Sequence, residues 1–128
     1  MTNDKIELDY GIVELRKDGI LSFDYFGNKN NDISVEQMEE TLEIYLKLTE
    51  NKLVPFCVDA PKLFNLTNEQ KEFALNTTPM FASALGLVEK SPLTRNLVHV
   101  ITYFNKPPFP VKMFKTKPEA LAWLQQYT

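Results

Sequence analysis

The chain reads as a single α/β domain: a mixed sheet of five strands with about four helices, in the order ββαβαβαβα. Three observations carry that reading. The ending runs Asn105-Lys-Pro-Pro-Phe-Pro, then Val111-Lys-Met-Phe114, then Lys117-Pro-Glu-Ala-Leu-Ala-Trp-Leu124. A proline-locked loop, a short strand and a helix opened by proline follow one another, which is how a βα unit closes a sheet. The middle holds Leu53-Val-Pro-Phe-Cys-Val58, a continuous apolar run of strand length, typical of a strand covered on both faces. The start holds two β-prone runs joined across Asp18-Gly19, a hairpin signal because glycine accepts positive φ.

Taken in order, Ile6 to Leu15 and Ile20 to Phe26 are the first two strands, an antiparallel pair. Asn28 to Asp32 is a polar loop. Ser34, three residues before Gln37, forms the pattern of a capping box and starts a helix. On that helix Val35, Met38, Leu42, Tyr45 and Leu46 make an apolar stripe, with Glu36, Glu39, Glu40, Glu43 and Lys47 mostly opposite, as an amphipathic surface helix requires. Leu53 to Val58 is the central strand, and Pro55, which cannot donate to a ladder, predicts an irregular start. Thr67 and Gln70 repeat the capping-box spacing ahead of a short helix through Phe73 and Leu75.

Phe81 to Val88 suits a strand or a weak helix by pattern alone. The next element decides it. Ser91 is a good N-cap and Pro92 fits a first helical position, so Ser91 to Phe104 is a helix, and a parallel sheet needs a strand before such a crossover. Leu93, Leu97, Val100, Ile101 and Phe104 form that helix's core stripe, leaving Val98 and Tyr103 as extra apolar surface on its flanks. Strand Pro110 to Phe114 and helix Pro118 to Tyr127 complete the order, with Leu121 and Leu124 facing inward and Trp123 beside them. Each crossover is expected to be right-handed.

At 128 residues, 44% hydrophobic and 24% charged, the composition is that of one globular domain, and no repeat or linker divides it. A net charge of −3 offers no electrostatic reason to bind nucleic acid. The single Cys57 forms no internal disulfide, no signal-peptide pattern opens the chain, and no apolar run reaches the roughly 18 residues of a membrane span. A cytoplasmic protein without a transmembrane segment is the expectation.

No Gly-rich phosphate loop is present. One His and one Cys are too few for a zinc site, and the acidic stripe of the first helix reads as a solvated face rather than a carboxylate site for Mg²⁺, so no metal or cofactor is expected. Cys57 sits in an apolar strand and reads as a packed thiol rather than a nucleophile. Arg95 and His99, four apart with Asn96 nearby, form either a small polar site for an anion or carboxylate or the solvated side of their helix. Asn65-Leu66-Thr67 is formally a glycosylation sequon, an accident of composition in a chain without a secretion signal.

The element order, with Val58-Asp59-Ala-Pro-Lys-Leu-Phe-Asn-Leu-Thr67 after the central strand and the Asn-Lys-Pro-Pro-Phe-Pro to Ala-Leu-Ala-Trp-Leu ending, resembles the STAS-like domains related to bacterial anti-sigma-factor antagonists. The likeness spans about residues 50 to 127. Within the superfamily the chain looks most like a small group of uncharacterised bacterial proteins that share this ending. The resemblance implies a regulatory, non-enzymatic module acting through a protein partner or a homodimer. In STAS domains a serine or threonine at the start of the helix after the central strand is phosphorylated, and Thr67, with Asn65 before it, lies near that turn. Asn65-Leu66-Thr67-Asn68 replaces the family's Asp-Ser-Ser-Gly, and Glu69 would repel a phosphate, so helix capping by Thr67 is the competing role.

Val98, Tyr103 and Phe104 are the expected interface, since exposed apolar patches mark contacts. A second reading belongs to another class. STAS-like folds are distantly similar to lipid-transfer CRAL-TRIO domains, and 12% aromatic residues would suit a carrier of a small apolar molecule.

Overall fold

The computed structural model describes residues 4–26, 33–60, 67–88 and 108–128. They form one six-stranded sheet, with strands β1 (Asp4–Leu8), β2 (Gly11–Leu15), β3 (Leu21–Tyr25), β4 (Val54–Asp59), β5 (Ala82–Val88) and β6 (Val111–Phe114) lying side by side in chain order. The first three are an antiparallel meander and β3 to β6 run parallel.

Six strands correct the expected five. The run from Ile6 to Leu15 is two strands, because the chain turns at Asp9-Tyr10 and folds back with Leu8 opposite Gly11. Gly11 is required there: a Cβ would stand 2.4 Å from the Asp24 carbonyl oxygen of β3. The expected hairpin is present between β2 and β3, with Gly19 at φ +89°. The described residues hold three α-helices rather than four, since the helix expected at Ser91 to Phe104 lies outside them, as does the loop at 28–32.

Helix α1 (Val35–Thr49) opens with the expected capping box: Ser34 Oγ accepts from the Gln37 N–H at 3.1 Å and Gln37 Oε1 accepts from the Ser34 N–H at 3.0 Å. It ends where Glu50 and Asn51 turn left-handed, at φ 55° and 62°. Helix α2 (Asn68–Thr77) continues into a 3-10 turn at Thr78–Met80. Helix α3 (Lys117–Leu124) is capped by Thr116, whose Oγ1 accepts from the Glu119 N–H at 3.3 Å. The β4–β5 register slips between Val54 and Pro55, with Val54 opposite Ala82 and Pro55 opposite Ala84, so the central strand starts irregularly.

The sheet is covered on both faces. Over one face, α1 buries Tyr45 on Val13, Leu21, Phe23, Phe56, Phe81 and Leu85, with α2 packed beside α1. Two crossover helices on one face are what right-handed connections give when parallel strands advance one way across a sheet. On the other face α3 closes a smaller core of Ile20, Cys57, Ala84, Val88, Ala120 and Leu124. Trp123 lies beside it, 5.6 Å from Phe114 and 5.1 Å from Tyr127 between ring centroids.

Candidate functional site

The parallel strands end together at one rim of the sheet, and the carboxyl ends of such strands are where open α/β sheets hold their sites. The register sets Asp24, Asp59, Val88 and Phe114 in one row across that rim. The row before it is Ser22, Cys57, Gly86 and Lys112. Strand alternation turns both rows toward α3, as the burial of Cys57 and Val88 against Ala120 and Leu124 shows.

Two helix starts frame the rim. Lys117, in the first turn of α3, reaches back so that its Nζ lies 2.8 Å from both carboxylate oxygens of Asp24. The pair is partly exposed and contributes about 1 kcal/mol or less, so it positions the helix start more than it holds the fold together. At the head of α2, Thr67 Oγ1 accepts from the Gln70 N–H at 3.1 Å while Gln70 Oε1 accepts from the Thr67 N–H at 2.9 Å. Gln70 is buried and its side-chain amide donates to the Ile33 carbonyl just before α1. One glutamine therefore closes the cap and ties the starts of both helices together. Thr67 itself is exposed.

Cys57 lies one row below the carboxylates with no exposed surface. Burial pushes its thiol up to about 12, Asp24 and Asp59 add to the rise, and Lys117 opposes it. A raised native value favours the neutral thiol. That stability is intact below the ordinary value of 9.0 and is lost as pH climbs from there toward about 12. Cys57 is therefore expected to resist iodoacetamide at pH 8 in the folded protein and to label at once in urea, the native rate following global unfolding. Rapid native labelling would show that the thiol is reachable from the rim.

Two further polar contacts belong to the scaffold. Arg16 binds Asp18 at 3.1 Å, and Gln125 donates to the same carboxylate at 2.8 Å, fastening the hairpin turn to the chain after α3. Burial alone would raise Asp18, but the bonds from Arg16, the Ile20 N–H and Gln125 outweigh it and hold the carboxyl below its usual range. Tyr10, buried at the first turn, donates to the carboxylate of Glu40 on α1, and burial followed by that neighbour raises its phenol well above the ordinary tyrosine value.

Of the residues singled out in the sequence, Thr67 is described and is the cap of α2. Asn65, the polar trio Arg95, Asn96 and His99, and the apolar Val98, Tyr103 and Phe104 lie outside the described residues. Spacing along the chain does not single out the rim carboxylates or Lys117. A signal existed for two of them: Asp24 and Asp59 each interrupt a strand pattern at its end, where an apolar residue would be ordinary.

Among the described residues no helix is long and apolar enough to cross a membrane. No curated protein matches the chain. A solved structure of an uncharacterised protein from the DUF3478 family of Shewanella loihica PV-4, with a SpoIIAA-like fold, is similar at TM-score 0.56 and 20% identity, over 96% of this chain and 92% of that one. The fold is thus SpoIIAA-like, the STAS-like architecture to which the element order and the ending pointed. Residues 13–128 match the family described as Domain of unknown function (DUF7793), and the chain belongs to that family.

Proposed function

We propose that this protein is a non-enzymatic regulatory or protein-interaction module of STAS-like type, and that α2 is the surface through which it meets a protein partner. The observation that carries this reading is the exposure of α2, a ten-residue helix of which Gln70 alone is buried. The helix is held at its head, and its tail carries exposed apolar side chains, Leu75 in the last turns and Met80 in the 3-10 turn that follows. Leu53, also exposed, precedes β4 at the same end, where the Val54 N–H donates to the Phe81 carbonyl at 2.9 Å. Large apolar side chains left exposed on a surface favour a contact role.

Thr67 suits regulation of that surface. It is exposed at a helix start, where amides and macrodipole favour a phosphate. No comparable observation favours the carrier reading: the rings of Tyr10, Phe23, Tyr25, Tyr45, Phe56 and Phe81 pack on one another in the core.

The test is affinity purification of the tagged full chain from its own source, read by mass spectrometry beside a Leu75→Asp/Met80→Asp variant of unchanged circular dichroism. A protein retained in fixed proportion by the parent and lost by the variant is the expected result. No retained protein, or equal retention by both, overturns the reading. Thr67→Asp keeps a capping oxygen and adds charge, so it is expected to alter retention at unchanged stability. Thr67→Val loses the cap, at about 1 kcal/mol.

A further inference from the structure

Strand β1 forms one edge of the sheet, and half of its backbone is turned outward. The Phe26 N–H donates to the Tyr10 carbonyl at 2.8 Å and the Arg16 N–H to the Ile20 carbonyl at 2.9 Å, so the even-numbered residues along β2 direct their backbone groups to β3. Gly11, Val13 and Leu15 therefore direct theirs to β1, opposite Leu8, Ile6 and Asp4. In an antiparallel ladder the residues between point the other way. The N–H and carbonyl groups of Lys5 and Glu7 thus face away from the sheet. The opposite edge is less open, since β6 has four residues and follows Pro110, which lacks an N–H.

An apolar row ends at this same edge. Met113, Leu87, Val58, Phe23, Val13 and Ile6 are successive register partners across all six strands on the α1 face. Ile6 closes the row half-buried, and among the described residues no strand lies beyond it in the sheet.

We propose that β1 pairs antiparallel with β1 of a second copy, about a two-fold axis through Ile6, joining two sheets into one. Outward-facing residues must lie opposite outward-facing residues, which leaves few registers. Centring on Lys5 sets lysine against lysine, and centring on Glu7 sets glutamate against glutamate. Centring on Ile6 sets Lys5 of each copy against Glu7 of the other, two favourable cross-strand pairs where the alternatives bring like charges together. It also makes Ile6 face its own mate in a non-hydrogen-bonded pair, the closer kind, and the apolar row then runs on through both copies. Charges on an edge strand commonly discourage pairing; here their order makes them self-complementary. This surface is separate from α2, so the dimer and the partner reading stand or fall independently.

Sedimentation velocity of the full chain, at low salt and over a range of concentrations, tests the proposal. The parent chain is expected to dimerise. Lys5→Glu and Glu7→Lys, both at exposed positions, are each expected to weaken the dimer by about ten-fold or more. The double exchange Lys5→Glu/Glu7→Lys is expected to restore it. Ile6→Cys is expected to form a disulfide-linked dimer under mild oxidation, with Cys57 too buried to compete. A monomeric parent chain, a dimer indifferent to both single exchanges, or no cross-link through position 6 overturns it.

Discussion

Replacing Phe81 with alanine is expected to destabilise the protein by about 3–5 kcal/mol, a large part of the roughly 5–15 kcal/mol that holds a small domain folded. The side chain is 2% exposed. Its ring lies 4.8 Å from that of Tyr45 and 5.0 Å from that of Phe56, and those two are 5.0 Å apart, so three rings from α1, β4 and the entry to β5 form a closed triangle. Removing one ring opens a cavity and leaves the other two with an empty neighbour, and aromatic pairs contribute about 0.5–1.5 kcal/mol beyond their buried area. The backbone around it is committed too, with the Phe81 carbonyl accepting from Val54 and its N–H donating to Thr78 at 3.2 Å. Urea denaturation checks the prediction through a lower midpoint at an unchanged slope. A loss within about 1 kcal/mol would mean that the triangle is not the centre of the core.

The triangle also shows how far the sequence could be read. Tyr45 belongs to the apolar stripe of the first helix, Phe56 to the central run and Phe81 to the start of the next strand, so each residue is visible alone. Features closed by near neighbours along the chain are legible for the same reason. The capping boxes at Ser34 and Thr67 need only three residues each, and the Asp18-Gly19 hairpin needs only a positive φ. Pro55 is legible as a disturbance, and the β4–β5 register does slip between Val54 and Pro55. The turn at Asp9-Tyr10 escapes because no glycine or proline interrupts the residues between Ile6 and Tyr10. Its marker is Gly11, whose reason lies in another strand, where the Asp24 carbonyl leaves no room for a Cβ.

The rim was less legible for a related reason. Asp24 and Lys117 are 93 residues apart, and they meet because β3 and β4 are parallel in a register that puts Asp24 beside Asp59, and because α3 is seated on that face. Spacing along the chain records none of this. Thr67 was legible as a helix start, since capping is local, and the structure adds that Gln70 joins that start to Ile33 ahead of α1. The row from Ile6 to Met113 has the same character as the rim: each member is an ordinary strand hydrophobe, and the alignment across six strands is a property of register alone.

Register also explains why α3 approaches the sheet so closely, and it leads to a second large expected effect. Leu124→Ala is expected to cost about 2–5 kcal/mol, because Leu124 is fully buried in the small core on that face. Beneath it lies Gly86, where a Cβ would stand 3.1 Å from Leu124 Cδ1, 3.4 Å from its Cγ and 3.5 Å from the Ala120 Cβ. The helix rests on the missing side chain of Gly86. Gly86→Ala alone should therefore press on Leu124 and cost about 1–3 kcal/mol by overpacking. Combined, the two changes oppose each other, since the added methyl enters the space that Leu124 vacates, and the double variant is expected to be more stable than the sum of the single losses by about 1 kcal/mol or more. A double-mutant cycle in urea measures that coupling. Additivity within about 0.5 kcal/mol would mean that α3 shifts over the sheet to absorb either change; a clear surplus would show that Gly86 beneath Leu124 fixes its seat and, through Lys117 at its head, the position of the rim.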